Sequence, residues 1–182
     1  MVGYIILGIL IIILICFFVT YNSLIKLSNK VKEAFSTMDV YLKKRWDLIP
    51  NLVETVKGYA RHEKDTLEEI TLLRNKSYDD ISDDDKIKDN EKISKSINRI
   101  MLLAESYPEL KASDNFKNLS NELSKVEEDI ANSRKYYNGT VRLYNNKVEM
   151  FPSNIIAKIF KYESKKMFEA SLDEKENVKV EL

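Results

Sequence analysis

Apolar residues occupy the start of the chain without interruption, since residues 2–19 carry no charge. A bilayer core about 30 Å thick needs about 20 mostly apolar helical residues to cross it, and Thr20 and Tyr21 bring the stretch to that length. A cleaved signal peptide would instead have a basic start, a shorter apolar run and small residues before the cleavage site. The pattern therefore predicts an uncleaved transmembrane anchor over residues 1–20.

Beyond the anchor, apolar residues recur every three or four positions, which places them on one face of a helix. In the first part this stripe consists of Leu24, Leu27, Val31, Phe35, Met38, Leu42 and Trp46. Pro50 cannot donate a backbone hydrogen bond, and it disfavours the helical conformation at Ile49. We therefore predict a first helix over about 21–47 that continues the anchor, a break at Pro50, and a second helix over about 50–77.

The segment 75–85 is polar and acidic, and it predicts a loop. Near its end, Ser82 is followed three residues later by Asp85, a spacing typical of a helix start whose free N–H groups favour nearby acids. A third helix is predicted over about 84–107, before Pro108, and a fourth over about 114–149.

Four amphipathic stripes joined by short connections predict an all-α protein, because each stripe must be buried against the others. The predicted architecture is a transmembrane helix that continues into an antiparallel up-and-down four-helix bundle over residues 21–150. A basic amphipathic, membrane-proximal segment over 151–170 and a polar tail over 171–182 follow it.

The balance and placement of charges narrow the choice of partners and compartment. Lysine and arginine number 29, as do aspartate and glutamate, so the chain lacks the basic excess of a nucleic-acid-binding protein. No lysine or arginine precedes the anchor, whereas Lys26, Lys30 and Lys32 follow it. Because positive residues stay in the cytoplasm, we expect an outside N-terminus and a cytoplasmic C-terminal domain in the cell membrane.

Residues that could carry chemistry are scarce. Cys16 is the only cysteine and His62 the only histidine, which excludes disulfide frameworks and sites built on two or more imidazoles. His62 and Glu63 begin like a zinc-protease motif, but no second histidine follows. The acidic run 79–86 lacks the glycine and the spaced glutamate of a calcium loop. We predict no catalytic, metal-binding or cofactor-binding residues.

Four asparagines belong to a weak internal repeat. Residues 21–31 (YNSLIKLSNKV) resemble residues 137–148 (YNGTVRLYNNKV), and each segment carries two asparagines seven residues apart. In the predicted bundle, Asn22 and Asn29 would face Asn145 and Asn138. Buried amide pairs of this kind fix the register of packed helices. The alternative is a polar patch that receives a ligand or a partner.

The turn predicted at Pro50 concentrates polar and aromatic residues: Arg45, Trp46, Asp47, Pro50 and Asn51. Tryptophan and arginine often anchor protein interfaces, so this corner is a candidate interaction site. The alternative is a sharp helix–helix turn held by an Arg45–Asp47 pair and a packed indole.

The C-terminal segment combines apolar and basic residues, of which the candidate membrane-surface contacts are Lys158, Phe160, Lys161, Lys165 and Lys166. A basic amphipathic piece beside the anchor can lie among anionic headgroups, where each lysine contributes about 1 kcal/mol. The alternative is that this segment folds back and covers the end of the bundle.

Several segments together resemble the LemA family: VKEAFSTMDVYLKKRWDLIPNLVETVKGYARHE, SYPELKASDNFKNLSNEL and YYNGTVRLYNNKVEMFPSNIIAKIF. The resemblance runs from the anchor to about residue 170 and is most specific over 47–62. It departs at Trp46, where a tyrosine is more usual, and at Lys158 and Lys161, which replace smaller residues. The resemblance implies a bacterial membrane-anchored four-helix domain without an established enzymatic activity, in a family often associated with membrane peptidases or envelope maintenance.

Together these features predict a non-enzymatic scaffold or adaptor that presents a protein-interaction surface at the cytoplasmic membrane, either at the Trp46 corner or at the acidic 75–85 loop. The expected partners are the lipid bilayer and a membrane or envelope protein, but not nucleic acid. One alternative is a ligand-sensing or enzymatic domain with a site in the bundle core. Another is a membrane-bound array that forms by self-assembly.

Overall fold

A computed structural model describes residues 1–60, 67–68, 71–72 and 77–168. These residues contain helices but no strand, which confirms the all-α class. The elements are α1 (Val2–Tyr59), a 3₁₀ turn (Tyr78–Asp80), α2 (Asp83–Glu105), α3 (Pro108–Ala112), α4 (Asp114–Glu149) and α5 (Ser153–Ile159). Within the predicted second helix, residues 61–66, 69–70 and 73–76 lie outside the described residues, as does the predicted tail 171–182.

Helix α1 does not break at Pro50, so the predicted break is wrong. A proline inside a helix removes one backbone hydrogen bond and costs about 3 kcal/mol. Here its neighbours Ile49, Leu52 and Val53 are all buried in the apolar core. We attribute the continuous helix to this packing, which offsets the cost of the lost hydrogen bond.

The first part of α1 contains the only described segment that is long and apolar enough to cross a membrane, and none of it is buried within the protein. Its side chains from Tyr4 to Ile15 are about half exposed or more. Apolar surface on this scale is typical of a helix that contacts lipid.

Two compact units divide the chain, and α1 and α4 contribute to both. The first comprises residues 1–37 and 133–167. One apolar cluster of this unit consists of Leu24, Ile156 and Ala157, against which four partly buried residues pack: Phe17, Tyr21, Val148 and Tyr162. The short helix α5 is therefore held by its buried side against α1 and α4.

Among the described residues, the second unit comprises those from 38 to 132, with the gaps noted above, and Phe168. It contains most of the buried apolar side chains. Buried residues recur every three or four positions along its helices, including Met38, Leu42, Ile49, Ile93, Ile97, Ile100, Leu123, Val126 and Ile130. This is the spacing that the sequence stripes predict for one face of each helix.

Ser82 caps the N-terminus of helix α2, as the spacing of Ser82 and Asp85 predicts. The Ser82 hydroxyl accepts a hydrogen bond from the Asp85 backbone N–H at 3.2 Å and donates one to the Asp85 carboxylate at 2.7 Å. Pro108 lies in the first turn of α3 rather than in a simple connection, a position where its missing N–H leaves no helical bond unmade.

Candidate functional site

Arg45 lies on the core face of α1. Buried positions on this face of the helix include Ala34, Met38, Leu42, Arg45, Ile49, Leu52 and Val56, each three or four residues from the next. Only 2% of the Arg45 side chain is exposed. A charged group this deeply buried needs a counter-charge and hydrogen-bond partners.

The Arg45 network supplies both, and we define it as Arg45, Asn90, Ser94 and Glu127. Nη1 of Arg45 donates to the Ser94 hydroxyl at 2.8 Å and to Oε1 of Glu127 at 3.0 Å. Nη2 donates to the side-chain oxygen of Asn90 at 2.8 Å and to its backbone carbonyl at 3.4 Å. Since these partners belong to α2 and α4, a single guanidinium joins three helices of this unit.

In this arrangement the guanidinium of Arg45 contacts the protein's own helices. Both terminal nitrogens of Arg45 are engaged by protein acceptors, and Glu127 matches its charge. The Nε atom is buried without a hydrogen-bond partner. The adjacent pocket, lined by Leu42, Trp46 and Tyr78 among others, has room for about one water molecule.

A second cluster, the Tyr78 cluster, comprises Asp39, Trp46, Tyr78 and Lys86. The Tyr78 hydroxyl donates to Oδ1 of Asp39 at 2.5 Å, and Nζ of Lys86 lies 3.0 Å from the same oxygen. The Lys86 ammonium also sits 4.3 Å from the centre of the Tyr78 ring, and the Trp46 ring meets that ring edge-on at 5.7 Å. These contacts fasten the 3₁₀ turn and the start of α2 onto α1.

The environment of Tyr78 favours its neutral form. Burial, the hydrogen bond to Asp39 and the negative charge of Asp39, in that order, raise the pKa of Tyr78 far above its ordinary value. When the pKa of a group is higher in the folded state than in the unfolded state, its contribution to stability is complete below the unfolded-state pKa. That contribution is lost as the pH rises from the unfolded-state pKa through the folded-state pKa.

We therefore expect the free energy of unfolding to fall above about pH 10, the ordinary pKa of tyrosine, by up to about 1.4 kcal/mol per pH unit from Tyr78 alone. Urea unfolding of the full chain in detergent micelles at several alkaline pH values measures this decline. Tyr78→Phe should flatten it, whereas Tyr136→Phe, at an exposed tyrosine, should not. Equal slopes for the two variants would contradict the assignment.

The residues of the predicted interaction corner do not form one exposed surface. Arg45 and Trp46 are buried, Pro50 is half-buried, and only Asp47 and Asn51 are exposed. The predicted Arg45–Asp47 pair is wrong, because in an unbroken helix residues two apart point roughly 200° away from each other around the axis. Asp47 instead accepts from Lys43 at 3.1 Å.

The predicted asparagine register is wrong for Asn22 and Asn29, which are both exposed. Asn138 is half-buried on α4. Asn145 has a different partner: its amide donates to the Lys165 carbonyl at 2.9 Å and accepts from the Lys165 N–H at 2.9 Å. Asn145 thus holds the backbone of the segment that follows α5.

The candidate membrane contacts separate into two groups. The backbones of Lys165 and Lys166 are bound to α4, since the Lys166 carbonyl accepts from the Tyr137 hydroxyl at 3.1 Å. Lys158, Phe160 and Lys161 are exposed beside α5. The segment after α5 therefore folds back onto α4, as the alternative interpretation predicts, while contact of α5 with lipid stays a prediction.

The six polar residues that matter most to these clusters were not predicted from the sequence: Asp39, Tyr78, Lys86, Asn90, Ser94 and Glu127. For Arg45 a signal exists, because it falls seven residues after Met38 and four before Ile49, within the apolar stripe. An arginine at such a position predicts buried partners on the facing helices.

Among the described residues, no group of three or more histidine, cysteine, aspartate or glutamate side chains could hold a metal ion.

The model of the LemA family matches residues 34–182. The protein LemA of Metamycoplasma hominis is 27% identical over 158 residues, which cover 86% of this chain and 72% of that relative. The resemblance noted in the sequence is thereby confirmed, and the chain belongs to the LemA family.

Proposed function

We propose that this protein is a single-pass membrane-anchored adaptor. Its helical body, by which we mean the helices that follow the apolar segment, lies in the cytoplasm and presents a protein-interaction surface. In this proposal its N-terminus is outside, its helices form an antiparallel four-helix bundle, and it catalyses no reaction. The orientation rests on Lys26, Lys30 and Lys32, which follow the apolar segment and have no basic counterpart before it.

One observation carries the proposal: the same helix, α1, supplies both the apolar segment and core residues of the body. Residues before Phe17 expose their apolar side chains, whereas Leu24, Val31 and Met38 are buried. A chain built in this way holds its body at the membrane, which is what an adaptor for membrane proteins requires.

Of the two predicted interaction surfaces, the Trp46 corner and the 75–85 loop, the loop is the better, and we define its residues 79–85 as the acidic turn. Asp79, Asp80 and Asp83 are exposed, whereas the Trp46 indole is buried against Tyr78. The contacts of Tyr78 already hold the turn on α1. A partner that binds there would therefore order little further backbone, and the entropic cost of binding would be small. The surface is suited to a basic segment of a membrane or envelope protein.

To test the proposal, the full chain is crosslinked in whole cells with a membrane-permeant or an impermeant reagent, and captured partners are quantified. We expect capture by the permeant reagent only. Asp79→Asn with Asp80→Asn should reduce capture about tenfold, which is about 0.7 kcal/mol for each charge. High salt should have a similar effect on the extracted complex.

The matched control replaces two exposed acids elsewhere, Glu109→Gln with Glu128→Gln, and should leave capture unchanged. Capture by the impermeant reagent would overturn the orientation. Equal losses in both double variants would overturn the acidic turn as the binding surface. Recovery of further copies of this chain as the only crosslinked species would favour the self-assembling array.

The ligand-sensing alternative draws on one observation, the buried polar residues of the Arg45 network. The neighbouring pocket has room for about one water molecule, which is too little for a metabolite without rearrangement. A ligand-dependent rise in the melting temperature of the full chain, abolished by substitution of Asn90, would favour this alternative over the adaptor.

A further inference from the structure

Helix α5 buries one side and leaves an apolar surface bare on the other. Ile156 and Ala157 pack into the cluster around Leu24. The exposed side and the residues just before it carry apolar side chains that are 42–79% exposed: Met150, Phe151, Ile155, Ile159 and Phe160. Apolar groups concentrated in this way on so short a segment indicate that something covers them.

The position of this surface identifies the cover. The centre of the Phe160 ring lies 4.5 Å from the centre of the Tyr21 ring and 6.0 Å from the centre of the Phe17 ring. Phe17 and Tyr21 belong to the last turns of the apolar segment of α1, where the helix leaves the bilayer. Through Phe160, the bare surface therefore adjoins the end of the apolar segment of α1, which the proposed anchor places in the bilayer.

Charge points to the same partner. Lys158 and Lys161 are exposed on and directly after α5, and the described residues 150–161 contain no aspartate or glutamate. Apolar side chains flanked by lysines are typical of elements that lie in the headgroup region of an anionic leaflet.

The end of α5 provides an independent observation. The Tyr162 N–H donates to the Ala157 carbonyl at 2.9 Å and the Lys161 N–H to the Lys158 carbonyl at 3.2 Å, which is the pattern of a Schellman motif. Lys161 occupies its left-handed position, with φ of 56°. Glycine is strongly preferred there, so a lysine at this place is conformationally costly and points to a role for its side chain.

We infer that residues 150–161 form a membrane foot that lies in the headgroup–acyl boundary of the leaflet from which α1 emerges. This inference rests on the proposed anchor. The foot places Ile155, Ile159 and Phe151 among the upper acyl chains and Lys158 and Lys161 among anionic headgroups. It gives the protein a second contact with the bilayer next to its spanning helix.

Spin-label depth measurements on the full chain in phosphatidylcholine–phosphatidylglycerol vesicles test the foot. The native Cys16 reports on the spanning segment, and Ile155→Cys or Ile159→Cys in a Cys16→Ser background reports on the foot. We expect labels at all three positions to be more accessible to oxygen than to a water-soluble nickel complex. Leu102→Cys, at an exposed apolar residue of α2, should show the opposite preference.

Each other result overturns a defined part of the inference. If Cys16 is in lipid but labels on α5 behave like the label at position 102, the foot is refuted and the anchor stands. If Cys16 is also exposed to water, anchor and foot both fail. Spin–spin broadening at position 155 or 159 that does not depend on lipid charge would make a second copy, not lipid, the cover.

Lys161→Gly separates the conformational role of this position from its charge. The melting temperature of the full chain in neutral micelles should rise by about 2–4 °C, because glycine relieves the left-handed strain. With Lys158→Gln added, the label at position 159 should become shallower in anionic vesicles. A depth that remains unchanged would overturn the role given to the two lysines.

Discussion

Glu127→Leu is expected to lower the free energy of unfolding by about 3–5 kcal/mol, because it leaves the buried Arg45 guanidinium without a counter-charge. The side chain of Arg45 is 2% exposed, so bulk solvent does not reach the guanidinium to replace the lost carboxylate. Ser94 and Asn90 would still accept hydrogen bonds, but neither carries a compensating charge.

Arg45→Met, which removes the other partner of the ion pair, should lower the free energy of unfolding by less, about 1–3 kcal/mol. Glu127 is 35% exposed, so its carboxylate can be solvated when the arginine is absent. The double variant should be more stable than Glu127→Leu alone, because apolar side chains of similar volume often replace a buried ion pair without loss.

Urea unfolding of the full chain in detergent micelles, followed by circular dichroism, gives the three values and their coupling energy. The matched control is the exposed pair of Lys44 and Glu122, whose removal should change stability by no more than about 1 kcal/mol. Equal losses for Glu127→Leu and Arg45→Met would contradict the asymmetry that we derive from their exposure.

The helical class and the start of α2 could be predicted because each depends on neighbours in sequence. Ser82 and Asp85 form their hydrogen bonds within one turn, so their spacing alone identifies the cap. Pro50 shows the limit of such reasoning. Its local effect opposes a helix, but the burial of Ile49 and Leu52 around it decides the outcome, and burial depends on residues far along the chain.

The Arg45 network could be predicted only in part, because its hydrogen bonds join residues that are 33–82 positions apart in sequence. The stripe that contains Met38 and Leu42 also contains Arg45, which predicts a buried guanidinium. It cannot identify Glu127 as the partner, since that depends on how α4 packs against α1. The prediction for Asn22 and Asn29 failed for a different reason. The two asparagines share one face of α1, but that face lies opposite the apolar stripe of Leu24 and Val31, which is the face that is buried.

Trp46→Ala is expected to destabilise the protein by about 3–5 kcal/mol, the usual cost of removing a buried aromatic side chain. The indole is 5% exposed and meets the Tyr78 ring edge-on at 5.7 Å, so its loss opens a cavity beside the Tyr78 cluster. A surface anchor for a partner would give the opposite result, with stability retained and only binding lost.

Thermal unfolding of the full chain in detergent micelles, followed by circular dichroism at the helical bands, measures this loss. Asn51→Ala serves as the matched control, since Asn51 is exposed on the same helix close to Trp46, and it should change stability by less than about 0.5 kcal/mol. Trp46→Phe should recover most of the stability, because a smaller aromatic ring can still pack against Tyr78. A Trp46→Ala protein that unfolds at the wild-type temperature would place the indole on the surface and return it to the candidate binding residues.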